Sequence, residues 1–453
     1  MRKFAFFLLP LFCVHAAAPK ELQALADQAR ALPPEFAADI LLKLAASPVA
    51  SDAKWKRELI EDAFFSAGHA QSPYRKQAPG RIAFGITMSR MDVLTLQGRA
   101  VEAMLTLDAQ RALVMFGDIA MPHFPKPTCQ DAITPNVSAY YETAILLFQK
   151  AFTPAQRSKG DDIQFLLVRI AAIESAAQVV PALKMLDQVE LSPSVRNELI
   201  ASFAGGLERM DRGNREFGES ENLLVGAAVP EMHETPLFMP ALRAYIVRHV
   251  SGPRCSDHIK AGELPEAVQQ FNKLISRIDP AATQFHPISA EESAPSKDDG
   301  TYPPMTLGQS AHFKQILAAE GAIGQGRLSA QEKTARYLEI LELLDSWKVE
   351  DEASPEDYWF EAATTRFSLV SDVPEGPAPR NVMENLLRFM EQQYDSDDNR
   401  GLWSLEFGHV VALTRPTSEI RPQDRAWFLD LLVHSHNPAI SLYAQMEKLL
   451  GSS

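Results

Sequence analysis

Outside its first eighteen residues the sequence has no apolar run approaching the ~18 residues needed to cross a bilayer, which excludes spanning helices. It also lacks any lysine and arginine run of the kind that tracks a phosphate backbone. With 58 acidic against 44 basic residues and a net charge of −14, nucleic acid is excluded as a partner. Alternating apolar and polar runs of the kind that make half-buried strands are few. Catalytic signatures are missing too: no His-Glu-x-x-His, no Gly-x-Ser-x-Gly and no Gly-x-x-x-x-Gly-Lys. Five Trp and nine Tyr are few for a protein that stacks sugars along a cleft.

What the chain does have begins at its N-terminus. Arg2 and Lys3 precede an apolar run from Phe4 to Val14, followed by small residues up to Ala18. That order is expected of a signal peptide over residues 1–18, with cleavage near Ala16, because Pro19 disfavours cutting after Ala18. Phe12 before Cys13 argues against a lipid-anchored product, so an exported soluble protein, periplasmic or extracellular, is expected. About 435 residues then remain, more than the ~250–300 at which one core stops growing, so two to three domains or a repeat array is expected.

Apolar residues recur every three or four positions along most of this length. Leu22, Leu25, Ala29 and Leu32 mark one helical face; Phe36, Ile40, Leu41 and Leu44 mark the next, after Pro33-Pro34. Further stretches run over 54–67, 92–107, 109–120, 138–152, 162–179, 182–189, 194–208, 237–250, 264–276, 309–321, 330–347, 356–370, 381–393, 423–434 and 439–450. Thr153-Pro154, Ser192-Pro193, Thr235-Pro236 and Ser354-Pro355 place an oxygen-bearing cap before a proline suited to the first helical position, and Ser329 with Glu332 has capping-box spacing. The expected fold is all-α: stacked helical hairpins in an irregular α-solenoid, because each hairpin hides one face only against its neighbours. Residues 278–306, rich in Pro, Ser, Ala and acids, are expected as a flexible linker. They separate an N-terminal array (19–277) from a C-terminal one (307–453), and a second break falls at Val373–Pro379.

Ala100 and Ala103, then Ala112, Phe116 and Ile119, then Pro122 resemble the small-large packing and terminal proline of tetratricopeptide repeats. The resemblance spans roughly 30 residues, and the 34-residue period of that repeat does not propagate. It implies a TPR-like array with a concave surface that holds a protein or peptide.

Candidate sites are few. Cys129 and Cys255 stand in like phrases, Pro127-Thr-Cys129-Gln-Asp131 and Pro253-Arg-Cys255-Ser-Asp257, and in an oxidising compartment a disulfide between them is expected; unpaired thiols, or a metal site with Asp131, Asp257 and His258, are the alternatives. Asp395, Asp397, Asn399, Gly401 and Glu406 resemble an EF-hand calcium loop, with oxygen-bearing side chains at its positions 1, 3, 5 and 12 and a backbone carbonyl at 7. Arg400 stands where that loop needs glycine, so a solvated turn competes with the calcium reading. Ser51 and Lys54 match a Ser-x-x-Lys spacing, read as a Ser cap with a solvated Lys. Gly324-Gln-Gly326 reads as a turn, and His434 with His436 as helix-end groups near terminal carbonyls. Glu356 and Asp357 beside Tyr358 and Trp359 suit either a helix cap or a sugar subsite. The functional expectation is a secreted binding or scaffold protein for a protein or peptide partner. The alternative is an α/α-toroid enzyme acting on polysaccharide.

Overall fold

The computed structural model describes residues 20–70, 75–76, 87–88, 91–122, 131–134, 136–210, 237–251, 264–281, 283–294, 310–325, 328–348, 355–372, 378–393, 403, 407, 410, 411, 413, 414 and 420–451. The fold is all-α. Among the described residues eighteen helices follow one another: α1 (Lys20–Ala29), α2 (Pro34–Ala46), α3 (Ala53–Gly68), α4 (Val93–Leu105), α5 (Ala109–Asp118), α6 (Val137–Lys150), α7 (Pro154–Lys159), α8 (Asp161–Ala171), α9 (Ala176–Gln188), α10 (Pro193–Arg209), α11 (Phe238–Val250), α12 (Glu266–Ile278), α13 (Ala311–Gln325), α14 (Ala330–Ser346), α15 (Pro355–Asp372), α16 (Ala378–Gln393), α17 (Pro422–Val433) and α18 (Pro438–Gly451). Three short strands, β1 (Arg75–Lys76), β2 (Thr87–Met88) and β3 (Asp131–Thr134), form a small sheet in the order β1-β3-β2, with β1 antiparallel and β2 parallel to β3. Strands of two to four residues are too short to show alternation in sequence.

Local chemistry starts and stops the helices. Thr153 and Gln156 close a capping box ahead of α7, and Ser329 and Glu332 close another ahead of α14, as the spacing predicts. Gly160 then ends α7 in the left-handed region, at φ 79°, where a side chain would be strained. Several helix C-termini are finished by an arginine from elsewhere. Arg157 donates to the carbonyls of Phe148 and Gln149 at the end of α6, Arg209 to Ala171 at the end of α8, and Arg248 to Leu207, Glu208 and Met210 at the end of α10. Each satisfies carbonyls that the helix leaves open and complements its negative end.

In the N-terminal half the helices form two layers. α2, α4, α6 and α9 lie side by side; α1, α3 and α5, then α8 and α10, run along the other side. The first layer is enclosed: α2 buries ten of its residues, including Phe36, Ile40 and Leu44, and α9 buries nine. α4 and α6 approach so closely at Gly98 that a Cβ there would come within 2.7 Å of Thr143 Oγ1. The one acid within α2's buried length other than Glu35 is Asp39. Burial works against its ionisation, yet Lys43 at 3.1 Å and Arg99 at 2.6 Å outweigh that and hold its carboxyl below the usual range.

In the C-terminal half α13 pairs with α14, α15 with α16 and α17 with α18, while α16 packs on α14 and α17. The last helix does not end the stack. α18 packs against α1 and α2, so the C-terminal hairpin continues into the N-terminal one. Phe36 sits edge-on to Trp403 and Phe407 at 5.3 and 5.4 Å, Phe407 meets Tyr443 at 4.7 Å, and Lys43 donates to the Tyr443 hydroxyl at 3.0 Å. Buried residues of both halves thereby belong to one connected core.

One expectation needs correction. The stretch 162–179 is two helices, because residues 172–175 break it and Ser175 and Gln178 open α9. α9 also runs through Pro181, which stands near enough to its start that only the bond to the Ala177 carbonyl is lost. Of the segment 278–306, residues 278–281 and 283–294 are described; 278 ends α12, and the others lie against α11 and α12: Ile288 is buried, Asn272 brackets its backbone, and Arg243 pairs with Glu292 at 2.7 Å.

Candidate functional site

The outer layer carries the surface with most to offer a partner. Arg57 on α3 meets Asp108 at the start of α5 at 3.4 Å, and one turn on Glu61 meets Arg111 at 2.8 Å. Both pairs advance in the same direction, so α3 and α5 run parallel here. Arg30 extends this ladder to α1, reaching Asp62 at 2.7 Å while holding Asp27 at 2.6 Å. Half-exposed pairs like these contribute about 0–1 kcal/mol each, so they fix the register of the ridge more than they hold the fold together.

The next rung is apolar. Continuing the same steps, four residues on α3 and three on α5, leads to Phe65 and Val114. A helical residue turns by ~100°, so these steps carry the two side chains off the shared seam toward the same side. They are 70% and 53% exposed. The Phe65 ring tilts against His69 at 4.6 Å, and His69 Nδ1 is held on the Phe65 carbonyl at 2.9 Å. Single exposed apolar residues are ordinary on any protein, but two in register beside a fixed charge ladder make a patch. Periodicity alone does not find it, since Phe65 sits beside Phe64, which packs on the core.

Other surfaces offer less. A cleft with about 10 Å³ of water-accessible space opens near the junction of the halves, lined by Phe407, Val411, Leu429, Leu432, Ile440 and Tyr443 among others. It falls far below the ~300–1,000 Å³ usual for small-molecule sites, and its lining is mostly apolar.

The residues singled out from sequence are dispersed. Ser51 does not cap α3: Asp52 does, accepting from the Lys54 and Trp55 amides, and Lys54 reaches Glu58 instead of a serine hydroxyl. His434 Nδ1 rests on the Asp430 carbonyl at 2.8 Å, and the His436 amide donates to Glu391, so they serve as helix-end groups. Gly324 lies within α13. Ser192 caps α10 by position, though its hydroxyl meets Ser194 rather than an amide. Tyr358 and Trp359 are buried, with the Tyr358 hydroxyl donating to the Trp347 carbonyl. Cys129 and Cys255, and Asp395, Asp397, Asn399, Gly401 and Glu406, lie outside the described residues, as do Thr235, Pro236 and Ser354. Among the described residues no group of three or more His, Cys, Asp or Glu is placed to hold a metal, and no helix is long and apolar enough to cross a membrane.

No known protein family matches the chain, and no curated protein matches it either. Among solved structures it is similar to a circular tandem repeat protein with novel repeat topology and enhanced subunit contact surfaces, over 95% of this chain and 88% of that one, at 12% identity and a TM-score of 0.17, which is too low to carry a structural argument.

Proposed function

We propose that the chain is a binding or scaffold protein that holds a protein or peptide partner on the ridge formed by α1, α3 and α5. The observation that supports this reading is the exposure of Phe65 and Val114, each one helical step beyond the ion-pair ladder that joins α3 and α5. Apolar contacts supply affinity at such a patch, and the flanking charges supply orientation. A photo-reactive phenylalanine at position 65 tests it. A discrete crosslinked species that disappears on adding Val114→Asp is expected; crosslinking indifferent to Val114 removes the ridge as the site.

The same proposal places the protein outside the cytoplasm, processed near Ala16 and bridged between Cys129 and Cys255. N-terminal sequencing of the mature chain and non-reducing peptide mapping test these two points; an unprocessed N-terminus, or two free thiols in exported protein, overturns the respective one. Calcium at Asp395–Glu406 is tested by comparing melting in chelator and in 10 mM calcium, and an unchanged curve removes it. A second reading, an α/α-toroid enzyme on polysaccharide, draws on the return of α18 onto α1 and α2. Release of reducing ends that Glu356→Gln abolishes favours it over the binding reading.

A further inference from the structure

Past the end of α12 the chain reverses and returns over the helices it has just left. Asp279 makes the reversal: its carboxylate accepts from the Thr283 hydroxyl at 3.0 Å and from the Gln284 and Phe285 amides at 2.6 and 2.8 Å. These bonds, the Phe285 amide first, hold its carboxyl below the usual range, at about 2. Residues 285–289 are neither helix nor strand. A single turn follows, closed by Ser289 and Glu292: the Ser289 amide donates to the Glu292 carboxylate at 3.0 Å and the Glu292 amide to the Ser289 hydroxyl at 3.2 Å.

The two helices beneath hold this segment mostly by its main chain. Arg243 on α11 donates through Nε to the His286 carbonyl at 3.0 Å and through Nη2 to the Pro287 carbonyl at 3.2 Å. Asn272 on α12 brackets the next residue, donating from Nδ2 to the Ile288 carbonyl at 2.9 Å and accepting the Ile288 amide on Oδ1 at 2.7 Å. Three consecutive residues are thus gripped at groups that every peptide carries. Side chains contribute at few places. Ile288 is 2% exposed, Phe285 packs partly against the core, and Glu292 takes Arg243 Nη2 on both oxygens at 2.7 and 2.9 Å. Of the described residues from 283 to 294 only Ile288 and Ser293 are buried, and the Ser293 hydroxyl serves the segment's own turn, donating to the Ser289 and Ala290 carbonyls.

We propose that residues 283–294 are a built-in ligand occupying a peptide site on α11 and α12, and that a partner's extended peptide with an apolar residue and, four positions later, an acid takes their place. Bonds to main-chain groups are indifferent to most side chains, so another chain can make them; the apolar residue and the acid supply the selectivity. A peptide fits better than a small molecule because the contacts follow successive main-chain units. The short tether at Asp279 gives the built-in segment an effective concentration of about a millimolar, which closes the site to weak competitors. These helices are not those of the ridge formed by α1, α3 and α5, so the two surfaces stand or fall separately.

The test uses the full chain and a fluorescein-labelled peptide of residues 283–294, with binding read by anisotropy. Ile288→Asp with Glu292→Lys in the protein releases its own segment and leaves α11 and α12 unaltered. This variant is expected to bind the labelled peptide about tenfold more tightly than the wild type, whose tethered copy competes. Adding Asn272→Ala and Arg243→Gln abolishes the capture. In the peptide, Ile288→Asp abolishes binding, Glu292→Ala weakens it by about fivefold, as for a half-exposed charge pair, and His286→Ala leaves it unchanged. No capture by the released variant, equal capture by it and by the wild type, or capture that survives the loss of Asn272 and Arg243 overturns the proposal. Amide hydrogen exchange on the unaltered chain decides the matter should the released variant not fold. The Ile288 amide is expected to exchange about tenfold or more faster than the Phe271 amide within α12, through local opening; equal rates make the segment a fixed part of the core and overturn the proposal.

Discussion

Arg366 and Arg169 occupy corresponding surroundings in the two halves of the molecule, over an aromatic ring and on the carbonyl one turn back, and differ in what balances them. Near Arg366 the chain supplies Asp345 from a neighbouring helix and uses Asn385 to align it. Near Arg169, among the described residues, it supplies the phenols of Tyr140, which hydrogen-bonds to the guanidinium, and Tyr141. An arginine cannot shed its proton to escape burial, so it has to be paired or be stacked and left costly. Cation–π contact with Phe165 and Phe116 offsets part of that cost, by about 2 kcal/mol at most sites of this kind. The contrast separates a guanidinium balanced by a carboxylate from one held by ring stacking, a carbonyl and a phenol.

The strongest way to break the comparison is to remove the carboxylate that Arg366 has. Asp345→Ala strands a buried guanidinium. Removing one partner of a buried pair costs about 3–5 kcal/mol, reduced here to about 2–4 because the Asp345 side chain is itself 51% exposed. Urea unfolding measures it, and Arg366→Met added to Asp345→Ala is expected to recover part of the loss. A loss below about 0.5 kcal/mol would mean that Asn385 alone suffices.

His249 on α11 sharpens the comparison, because it is a buried base that can lose its proton. It is 1% exposed, its Nδ1 lies 3.1 Å from the Tyr245 carbonyl, and burial first, with Arg248 adding to it, brings its pKa down to about 4. Between about pH 4 and the unperturbed value of about 6.5 the unfolded chain binds a proton that the folded chain refuses. Stability therefore rises with pH across that window and is lost as pH falls through it, by up to about 3 kcal/mol at 1.36 kcal/mol per unit. His249→Gln is expected to flatten this part of the profile, leaving acid unfolding to the carboxylates, Asp39 among them, at lower pH. An unchanged slope between pH 6.5 and 4 would place the effect elsewhere.

A smaller effect is expected at Arg169. Arg169→Met should fall within about 1 kcal/mol of the wild type in either direction, since the lost ring stacking is offset by removal of a buried charge that no carboxylate balances among the described residues. A loss as large as that of Asp345→Ala would show that Arg169 has an acidic partner too, and the two halves would then not differ.

Much of the scaffold was legible in advance, and the reasons are local. The heptad-like recurrence over 330–347 and the Ser329–Glu332 spacing anticipate α14, cap included, because the bonds involved join residues three and four apart. Periodicity does not reveal the break before α9, because the Ser175–Gln178 pair lies inside a run that stays apolar through Ala176 and Val179. The charged networks were not readable at all: Asp345, Arg366 and Asn385 lie 19 to 40 residues apart, and only the packing of α14, α15 and α16 brings them together. Arg169 did leave one trace, a permanent charge on the same helical face as the buried Leu166 and Ile170.

The smallest effect on folding is expected on the ridge. Phe65 is 70% exposed and leaves the core to Phe64 beside it, so Phe65→Ala removes little apolar area from the interior. Surface changes of this kind lie within about 0.5 kcal/mol. His69 loses its ring neighbour and keeps its bond to the carbonyl at position 65, so α3 should end where it does now. A partner held on this patch would respond differently, since aromatic anchors at an interface typically contribute 2 kcal/mol or more, a loss of about thirtyfold in affinity. Measured side by side, an unchanged unfolding midpoint with partner affinity lowered identifies Phe65 as a contact residue; a lowered midpoint that alone accounts for the weaker binding makes it a structural one.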